Sequence, residues 1–96
     1  MKWYDLVTDG YTRISEVLER ALNGLNTNDL RWQPRTDSNS IGWLTWHLTR
    51  IQDDHISSLM GEEQLWIKEG WHVKFNRLAD PKDHGFGNTA EQVAAF

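Results

Sequence analysis

The sequence contains no cysteine, and this absence excludes several kinds of chemistry at once. Disulfide bonds, a cysteine nucleophile and thiolate ligation of a metal ion all require a residue type that the chain does not have. A chain without disulfides suits a reducing compartment, and its first residues do not form the charged and then apolar segments of a secretion signal. We therefore expect a cytoplasmic protein.

Runs of basic residues and long runs of apolar residues are also missing. The chain has 10 Lys and Arg against 14 Asp and Glu, and its formal net charge is -4. Scattered cations on an acidic chain do not make the positive surface that nucleic-acid phosphates require. No apolar run approaches the roughly 20 residues of a membrane-spanning helix. The expected partners are therefore neither nucleic acid nor a membrane.

What the sequence has instead is helical periodicity along one small domain of 96 residues. Residues 2–23 repeat apolar side chains at steps of three and four, and Gly24 is a suitable residue to end that helix. Gly10 weakens the first half, so the helix can start anywhere between Trp3 and Thr12. Residues 26–29 form a turn cluster. Residues 62–68 predict a short helix, and residues 71–88 predict a long loop of the kind that often carries function.

The strongest pattern predicts a second helix over residues 41–59, which Ser38 or Ser40 can cap. A set of its residues, called here the apolar stripe, recurs at steps of three and four and is predicted to face the core. The members of the stripe are Ile41, Leu44, Leu48, Ile51 and Leu59, with His55 in the same register. Trp43 and Trp46 flank the stripe and are predicted to widen the buried face, since large rings gain most from burial.

The last eight residues carry a signal that starts a helix. Thr89 and Gln92 fit the S/T-x-x-E/Q capping box, and residues 93–96 would continue the helix. A helix this short is unstable alone, since roughly 12–15 residues are needed even in good sequences. Either the end is a frayed tail, or the chain has been cut or is completed by something outside it; we favour the second interpretation. The expected fold is all-α, one domain over residues 1–96 with three helices, a long loop and the start of a fourth helix.

His47 is the main candidate for chemistry, because its position between Leu44 and Ile51 is expected to point it toward the interior. A buried imidazole needs partners for both ring nitrogens, and a metal ion, a carboxylate or a backbone carbonyl can each serve. A structural role and a metal-binding role both remain open. Asp54 lies seven residues away, about 10 Å along the helix axis, so the two side chains cannot share one ion. Any further ligand must come from another helix or another chain.

Other polar residues could also carry function, and each has an ordinary structural interpretation. Asp54 could orient an imidazole or contact a substrate, whereas its neighbour Asp53 could simply pair with Arg50 at a solvated edge. His72 and His84 lie in the predicted loop, where histidines are expected on the surface. The tryptophans are most simply core residues.

The second helix and several other segments resemble a known family. The segments are residues 38–50 (SNSIGWLTWHLTR), 52–55 (QDDH), 61–66 (GEEQLW) and 89–96 (TAEQVAAF), together with Gly70, Trp71 and Phe75. They resemble the DinB-like superfamily, and in particular the branch associated with mycothiol-dependent enzymes. The resemblance implies an up-down-down-up four-helix bundle, with the fourth helix incomplete in this chain.

Members of that family typically hold a divalent metal such as zinc or nickel, with one His on the second helix and two ligands, often His-x-x-x-His, on the fourth. The resemblance makes His47 the first of these ligands, and the other two would lie beyond Phe96. Several members use a low-molecular-weight thiol such as mycothiol, bacillithiol or glutathione. The resemblance therefore implies a metal-binding, thiol-dependent S-transferase or isomerase acting on a small electrophile, with Asp54 as a substrate contact.

A second hypothesis is a non-catalytic binding or assembly module. Helices with an uncovered apolar face would associate with a second copy of the chain, because large exposed apolar patches drive association. A homodimer is therefore expected, with or without metal. Solution mass and co-purification of a metal distinguish the two hypotheses.

Overall fold

The computed structural model describes residues 2–96, and every regular element among them is helical. Six helices follow in order: α1 Trp3–Leu22, α2 Thr27–Arg31, α3 Ile41–Met60, α4 Leu65–Lys68, α5 Trp71–Lys74 and α6 Ala90–Ala94. Since residues 2–96 contain no strand, the predicted all-α class is confirmed. None of the helices in this part of the chain is both long and apolar enough to cross a membrane.

The bounds of α1 agree with the apolar spacing. The carboxylate of Asp5 accepts the backbone N–H of Lys2 at 3.0 Å, which satisfies a free donor at the start of the helix. The chain leaves the helix through Gly24, whose φ of +82° favours a residue without a Cβ atom. No residue of α1 is buried, and its large apolar side chains, such as Trp3 and Val17, remain exposed.

The predicted turn cluster is an ordered helical turn, α2, that packs on the start of α3. The side chains of Asn26 and Asp29 each accept the backbone N–H of the other, at 2.9 and 3.0 Å, and so form a capping box. A Cβ atom on Gly42 would lie 3.1 Å from the carbonyl oxygen of Leu30. The missing side chain of Gly42 therefore permits the close approach of the two helices.

The ends of α3 also match the prediction closely. Ser40 Oγ accepts the backbone N–H of Trp43 at 3.1 Å, so Ser40 rather than Ser38 is the cap. Gly61, with a φ of +69°, ends the helix in the left-handed conformation.

The prediction that the apolar stripe of α3 faces the core is wrong for residues 2–96. The stripe residues that remain exposed, at 38% to 75%, are Ile41, Leu44, Leu48 and Leu59. The buried side of the helix instead carries Trp43 and Trp46, at 7% and 5%. The reason is that the later segments of the chain pack on this side, where two large rings offer more apolar area than the aliphatic stripe. The predicted burial of the two tryptophans is confirmed.

Two further boundaries differ from the prediction. The short helix expected at 62–68 begins only at Leu65, because the Asp53 carboxylate accepts the backbone N–H groups of Leu65 and Trp66, each at 2.9 Å. The predicted loop 71–88 contains α5 at its start. The non-helical segment between α5 and α6 therefore spans residues 75–89.

The C-terminal residues form the predicted capped helix and pack on the core. Thr89 Oγ1 accepts the backbone N–H of Gln92 at 3.2 Å, and Gln92 Oε1 accepts that of Thr89 at 2.7 Å. The ring of Phe96 lies 4.6 Å from that of Trp46, measured between centroids. The buried core consists of Trp43, Trp46, Trp66 and Val93. The end of the chain is therefore part of the packed structure.

Candidate functional site

His47 lies on α3 at the edge of this tryptophan core and is half-buried. Its ring stacks on that of Trp43, with centroids 4.7 Å apart and planes inclined by 13°. Its Nδ1 atom contacts the backbone carbonyl oxygen of His84, on the loop that precedes α6. The stacking fixes the plane of the imidazole, and the carbonyl contact fixes its rotation.

The partner of Nδ1 also decides where His47 carries its proton. A carbonyl oxygen can only accept, so Nδ1 is the donor, and the neutral ring keeps its lone pair on Nε2. The hydrogen bond that His47 forms within residues 2–96 uses Nδ1 and leaves Nε2 free. A histidine held in this way is the form that ligates a metal ion or accepts a proton. The structural and chemical interpretations of His47 therefore use different nitrogen atoms and are compatible.

The loop that carries His84 is held by Arg50, a buried residue of α3 with only 2% exposure. The guanidinium donates to the backbone carbonyl oxygens of Asp83 at 2.8 Å and Pro81 at 3.2 Å. It also donates to Oε1 of Gln64 at 2.8 Å and to Oδ2 of Asp53 at 3.2 Å. Arg50 thus joins α3, the start of α4 and the loop, and the expected pairing with Asp53 is confirmed.

Two guanidinium groups lie in this region, and each pairs with a carboxylate: Arg50 with Asp53 and Arg77 with Asp83. Burial lowers the pKa of Arg50, and surrounding carboxylates, chiefly Asp53, oppose that shift. Because the pKa of an arginine guanidinium normally lies far above neutrality, Arg50 stays protonated at neutral pH despite this shift. Arg77 donates to both carboxylate oxygens of Asp83, at 2.6 and 2.9 Å, and this hydrogen bonding raises the pKa of Arg77. Asp83 is therefore held through its backbone by Arg50 and through its side chain by Arg77.

The other predicted site residue, Asp54, has a structural partner. One of its carboxylate oxygens accepts the side-chain amide of Gln64 at 3.0 Å. The same amide donates to the carbonyl oxygen of Pro81 at 3.0 Å, so Asp54 helps to orient a residue that supports the loop. Gln64, rather than His47, is the hydrogen-bond partner of Asp54. His55, the next residue, is exposed on the helix surface.

The two histidines expected on the loop surface are both half-buried. His72 contacts the carbonyl oxygen of Trp66 through Nδ1 at 2.9 Å. The ring of His84 lies 6.5 Å from that of His47, between centroids, and its Nδ1 accepts the backbone N–H of Phe86 at 3.3 Å. The structure therefore brings together two histidines that are 37 residues apart in the sequence.

Among the described residues, His47 can serve as one ligand of a metal site. Within the described part of the chain, no group of three or more His, Cys, Asp or Glu side chains could hold a metal ion. His47 can contribute one bond through Nε2, whereas catalytic zinc sites keep three protein ligands. At least one further ligand would therefore have to come from outside residues 2–96.

A second feature is an apolar groove of about 630 Å³, bordered by α2, α3, α4 and the C-terminus. The rings of Trp46, Trp66, Phe75 and Phe96 line it, and His47 does not. The indole N–H groups of Trp46 and Trp66 have no hydrogen-bond partner within residues 2–96, so their burial is stabilised by contacts of the rings. These contacts include the guanidinium of Arg50 over Trp66 and that of Arg77 over Trp46. The groove shares Arg50 and Asp53 with the network that supports the loop, whereas His47 itself lies outside it.

The protein is therefore a helical protein in which one histidine, His47, is held at the edge of an aromatic core and could bind a ligand. A sequence model of the DinB superfamily matches residues 11–96, which include His47 and the loop that holds it. This chain belongs to the DinB superfamily. The predicted resemblance is thus confirmed at the level of the superfamily. A search of curated proteins found no match.

Sequence reasoning missed the residues that support His47, namely Arg50, Gln64 and the backbone carbonyl of His84. One signal was present, because Arg50 follows Trp46 by four residues and Trp43 by seven, and so lies on the same side of the helix. The carbonyl of His84 leaves no signal in the sequence, since any residue type supplies a carbonyl.

Proposed function

We propose that this chain supplies His47 as one ligand of a divalent metal ion, zinc or nickel, in a thiol-dependent S-transferase or isomerase of the mycothiol type. The observation that carries the proposal is the contact of His47 Nδ1 with the carbonyl oxygen of His84, which leaves Nε2 available. Membership of the DinB superfamily supports the same assignment. The site would lie in a four-helix bundle of the up-down-down-up kind that the family resemblance implies.

The residues of this chain would orient the ligand and keep its ring in the ligating form. Trp43 would restrict rotation of the His47 ring, and the carbonyl of His84 would hold the proton on Nδ1. The chemistry that a bound divalent ion would supply is a lowered pKa of a coordinated thiol, which makes a nucleophilic thiolate available at neutral pH. A small electrophile would then be the second substrate, and Asp54 would contact it after release from Gln64.

The remaining ligands would come from a helix that covers the exposed apolar stripe of α3. His47 and the stripe are neighbours on the helix surface, since Leu44 and Ile51 lie three and four residues away. A helix packed on the stripe would therefore also reach Nε2 of His47. This helix would belong either to further polypeptide or to a second chain.

The test is a titration of the 96-residue chain with zinc and nickel, beside His47→Ala and a control, His55→Ala. His55 is an exposed histidine on the same helix, so its removal should leave metal binding unchanged. Where a second copy of the chain supplies the remaining ligands, we expect stoichiometric binding that His47→Ala abolishes, with the helical circular dichroism retained. Full binding by His47→Ala would contradict metal binding through His47, whereas no binding by the unmodified chain would mean that the remaining ligands lie in further polypeptide. With binding established, formation of a thioether from mycothiol and an electrophile tests the transferase activity.

A second candidate function is a non-catalytic assembly module that forms a homodimer. The observation that favours it is the exposure of two apolar helix faces, one on α1 and one on α3. The exposed side chains of α1 are Trp3, Tyr4, Leu6, Val7, Ile14 and Val17. Patches of this kind associate because burial removes apolar area from water.

Solution mass across a dilution series tests the assembly function. The chain has a mass of 11.2 kDa, and we expect a species of twice this mass at high concentration. Leu48→Glu places a charge in the stripe and should shift the species toward monomer, whereas Gln52→Glu on the exposed surface of the same helix should not. A monomer at all concentrations would contradict the assembly function.

A further inference from the structure

We propose that Arg50 is a positioning residue that sets the proton position on His47, by holding the loop whose His84 carbonyl accepts from Nδ1. The link to metal ligation rests on the function proposed above. The link between Arg50 and the tautomer of His47 rests only on contacts within this chain.

The first step is the attachment of Arg50 to the backbone of the loop. Its planar guanidinium donates to the carbonyl oxygens of Asp83, at 2.8 Å, and Pro81, at 3.2 Å. A guanidinium presents its N–H groups in a fixed fork, so two carbonyl contacts from one group restrict the orientation of both peptide units. The ring of Trp66 lies 4.8 Å from the guanidinium carbon and further limits its movement.

The second step is the position of His84 between two fixed points. The carbonyl of Asp83, held by Arg50, belongs to the peptide unit that immediately precedes His84. On the other side, Gly85 is in contact with the core, because a Cβ atom there would lie 2.8 Å from ring carbons of both Trp43 and Trp46. With both neighbours restrained, the carbonyl of His84 has little freedom to turn away from His47.

The third step is the effect on the imidazole. The ring of His47 stacks on Trp43, so rotation toward another partner would cost that contact. A fixed acceptor at Nδ1 then favours the tautomer with hydrogen on Nδ1 and the lone pair on Nε2. Without Arg50, the His84 carbonyl would be free to move away from Nδ1. The proton of the neutral His47 ring would then be shared between Nδ1 and Nε2, in a ratio set by the remaining acceptors.

The contacts also separate Arg50 from Arg77, which serves as a matched control. Arg77 is the other guanidinium that holds the loop, but it binds the Asp83 carboxylate and not a backbone carbonyl. Its removal weakens the attachment of the loop and leaves the Arg50 contacts to Asp83 and Pro81 in place. A general loss of loop stability would therefore affect both variants alike, whereas a positioning role would distinguish them.

The experiment is nitrogen-15 NMR of the metal-free chain labelled at histidine, at a pH where His47 is neutral, with His47→Ala assigning the resonances. We expect the unmodified chain to show a protonated-type shift at Nδ1 and an unprotonated-type shift at Nε2. In Arg50→Met the ratio of the two tautomers should fall by about fivefold or more, which is the effect of one net hydrogen bond. Arg77→Met should change the ratio by less than about twofold, well below the effect of one hydrogen bond.

Two results would overturn the inference. One is an unmodified chain in which the proton resides mainly on Nε2, and this result needs no variant. The other is an equal change in Arg50→Met and Arg77→Met. If Arg50→Met fails to fold, Arg50→Lys replaces it, because the ammonium keeps the charge opposite Asp53 and cannot donate to both carbonyls in a fork.

The metal consequence is measured separately, so that its failure can be distinguished from failure of the inference. If the chain binds zinc through His47, Arg50→Met should weaken the affinity by roughly tenfold or more with the stoichiometry unchanged, as expected for loss of a group that orients a ligand. If the unmodified chain binds no zinc, a second copy does not supply the remaining ligands, and the NMR result still decides the role of Arg50.

Discussion

The carboxylate of Asp53 lies at the N-terminus of α4, where its Oδ1 atom is 2.9 Å from the backbone nitrogen of Leu65. The other carboxylate oxygen accepts the backbone N–H of Trp66, also at 2.9 Å, and pairs with Arg50 at 3.2 Å. A residue from the previous helix therefore caps α4, since Gln64, at the N-cap position, makes no side-chain capping bond there. This arrangement couples the start of α4 to the buried Arg50 network.

We predict that Asp53→Ala lowers the free energy of unfolding by about 2 kcal/mol, because it leaves two helix N–H groups and part of a buried guanidinium without an acceptor. The measurement is urea unfolding followed by circular dichroism. The control is Asp37→Ala, since Asp37 pairs with Arg35 while both side chains are mostly exposed, and such pairs contribute at most about 1 kcal/mol. Equal losses in the two variants would contradict the capping role of Asp53.

Gly85→Ala should destabilise the chain through a clash with the tryptophan core. A Cβ atom at Gly85 would lie 2.8 Å from ring carbons of Trp43 and Trp46, and the residue also has a φ of +93°. We expect a loss of about 2–4 kcal/mol from overpacking and backbone strain together. Near-ultraviolet circular dichroism should change as well, because the two rings must move.

Gly87→Ala separates these two causes. Gly87 has a similar φ of +79°, but no atom lies within 4 Å of the position its Cβ would take. We expect a loss of about 1 kcal/mol from the backbone conformation alone, with an unchanged near-ultraviolet spectrum. A loss as large as that of Gly85→Ala would mean that strain, and not contact with the rings, makes glycine necessary.

The identity of the buried side of α3 can be tested by truncating residues on its two sides. Trp46→Ala should cost about 3–5 kcal/mol, because Trp46 is 5% exposed and contacts the rings of Trp66 and Phe96. Leu44→Ser on the apolar stripe should cost about 0.5 kcal/mol or less in the monomer, as for other exposed positions. Chemical denaturation at concentrations where the chain is monomeric measures both.

Trp32→Ala provides the size control for this comparison. Trp32 is 63% exposed, so removal of an equally large ring there should change the free energy of unfolding by about 0.5 kcal/mol or less. If Leu44→Ser were as damaging as Trp46→Ala, the stripe and not the tryptophan side would be the core of α3.

Arg77→Met should lower the free energy of unfolding by about 1 kcal/mol, because it removes two hydrogen bonds to the half-buried Asp83 carboxylate. The hydrogen bond that Arg77 donates to the Asp83 carboxylate raises the folded-state pKa of Arg77 above its usual value. Stabilisation from a raised pKa is fully present below the unfolded pKa and is lost only above it. The effect of Arg77→Met should therefore be the same at pH 6 and pH 8, measured by urea unfolding; a large difference would contradict this pairing.

Local sequence patterns predicted the helices well, and the reasons lie in short-range chemistry. Gly24 and Gly61 end helices because they reach positive φ without a steric penalty, and the Thr89–Gln92 capping box starts α6 through bonds between residues three apart. The start of α4 was not predictable in the same way. Its capping group, Asp53, comes from another helix, and no local signal reveals such a partner.

The sequence by itself determined the helical class, the C-terminal end of α1, the bounds of α3, the superfamily, and the candidate His47, because each depends on spacing or on motifs within short segments. The tertiary structure alone decided which side of α3 is buried, and it placed the His84 carbonyl on Nδ1 and the Arg50 guanidinium on the loop. Both sides of α3 carry apolar residues at helical spacing, so periodicity cannot choose between them. The choice follows from which segments, distant in the chain, pack against the two tryptophan rings and so remove the larger apolar area from water.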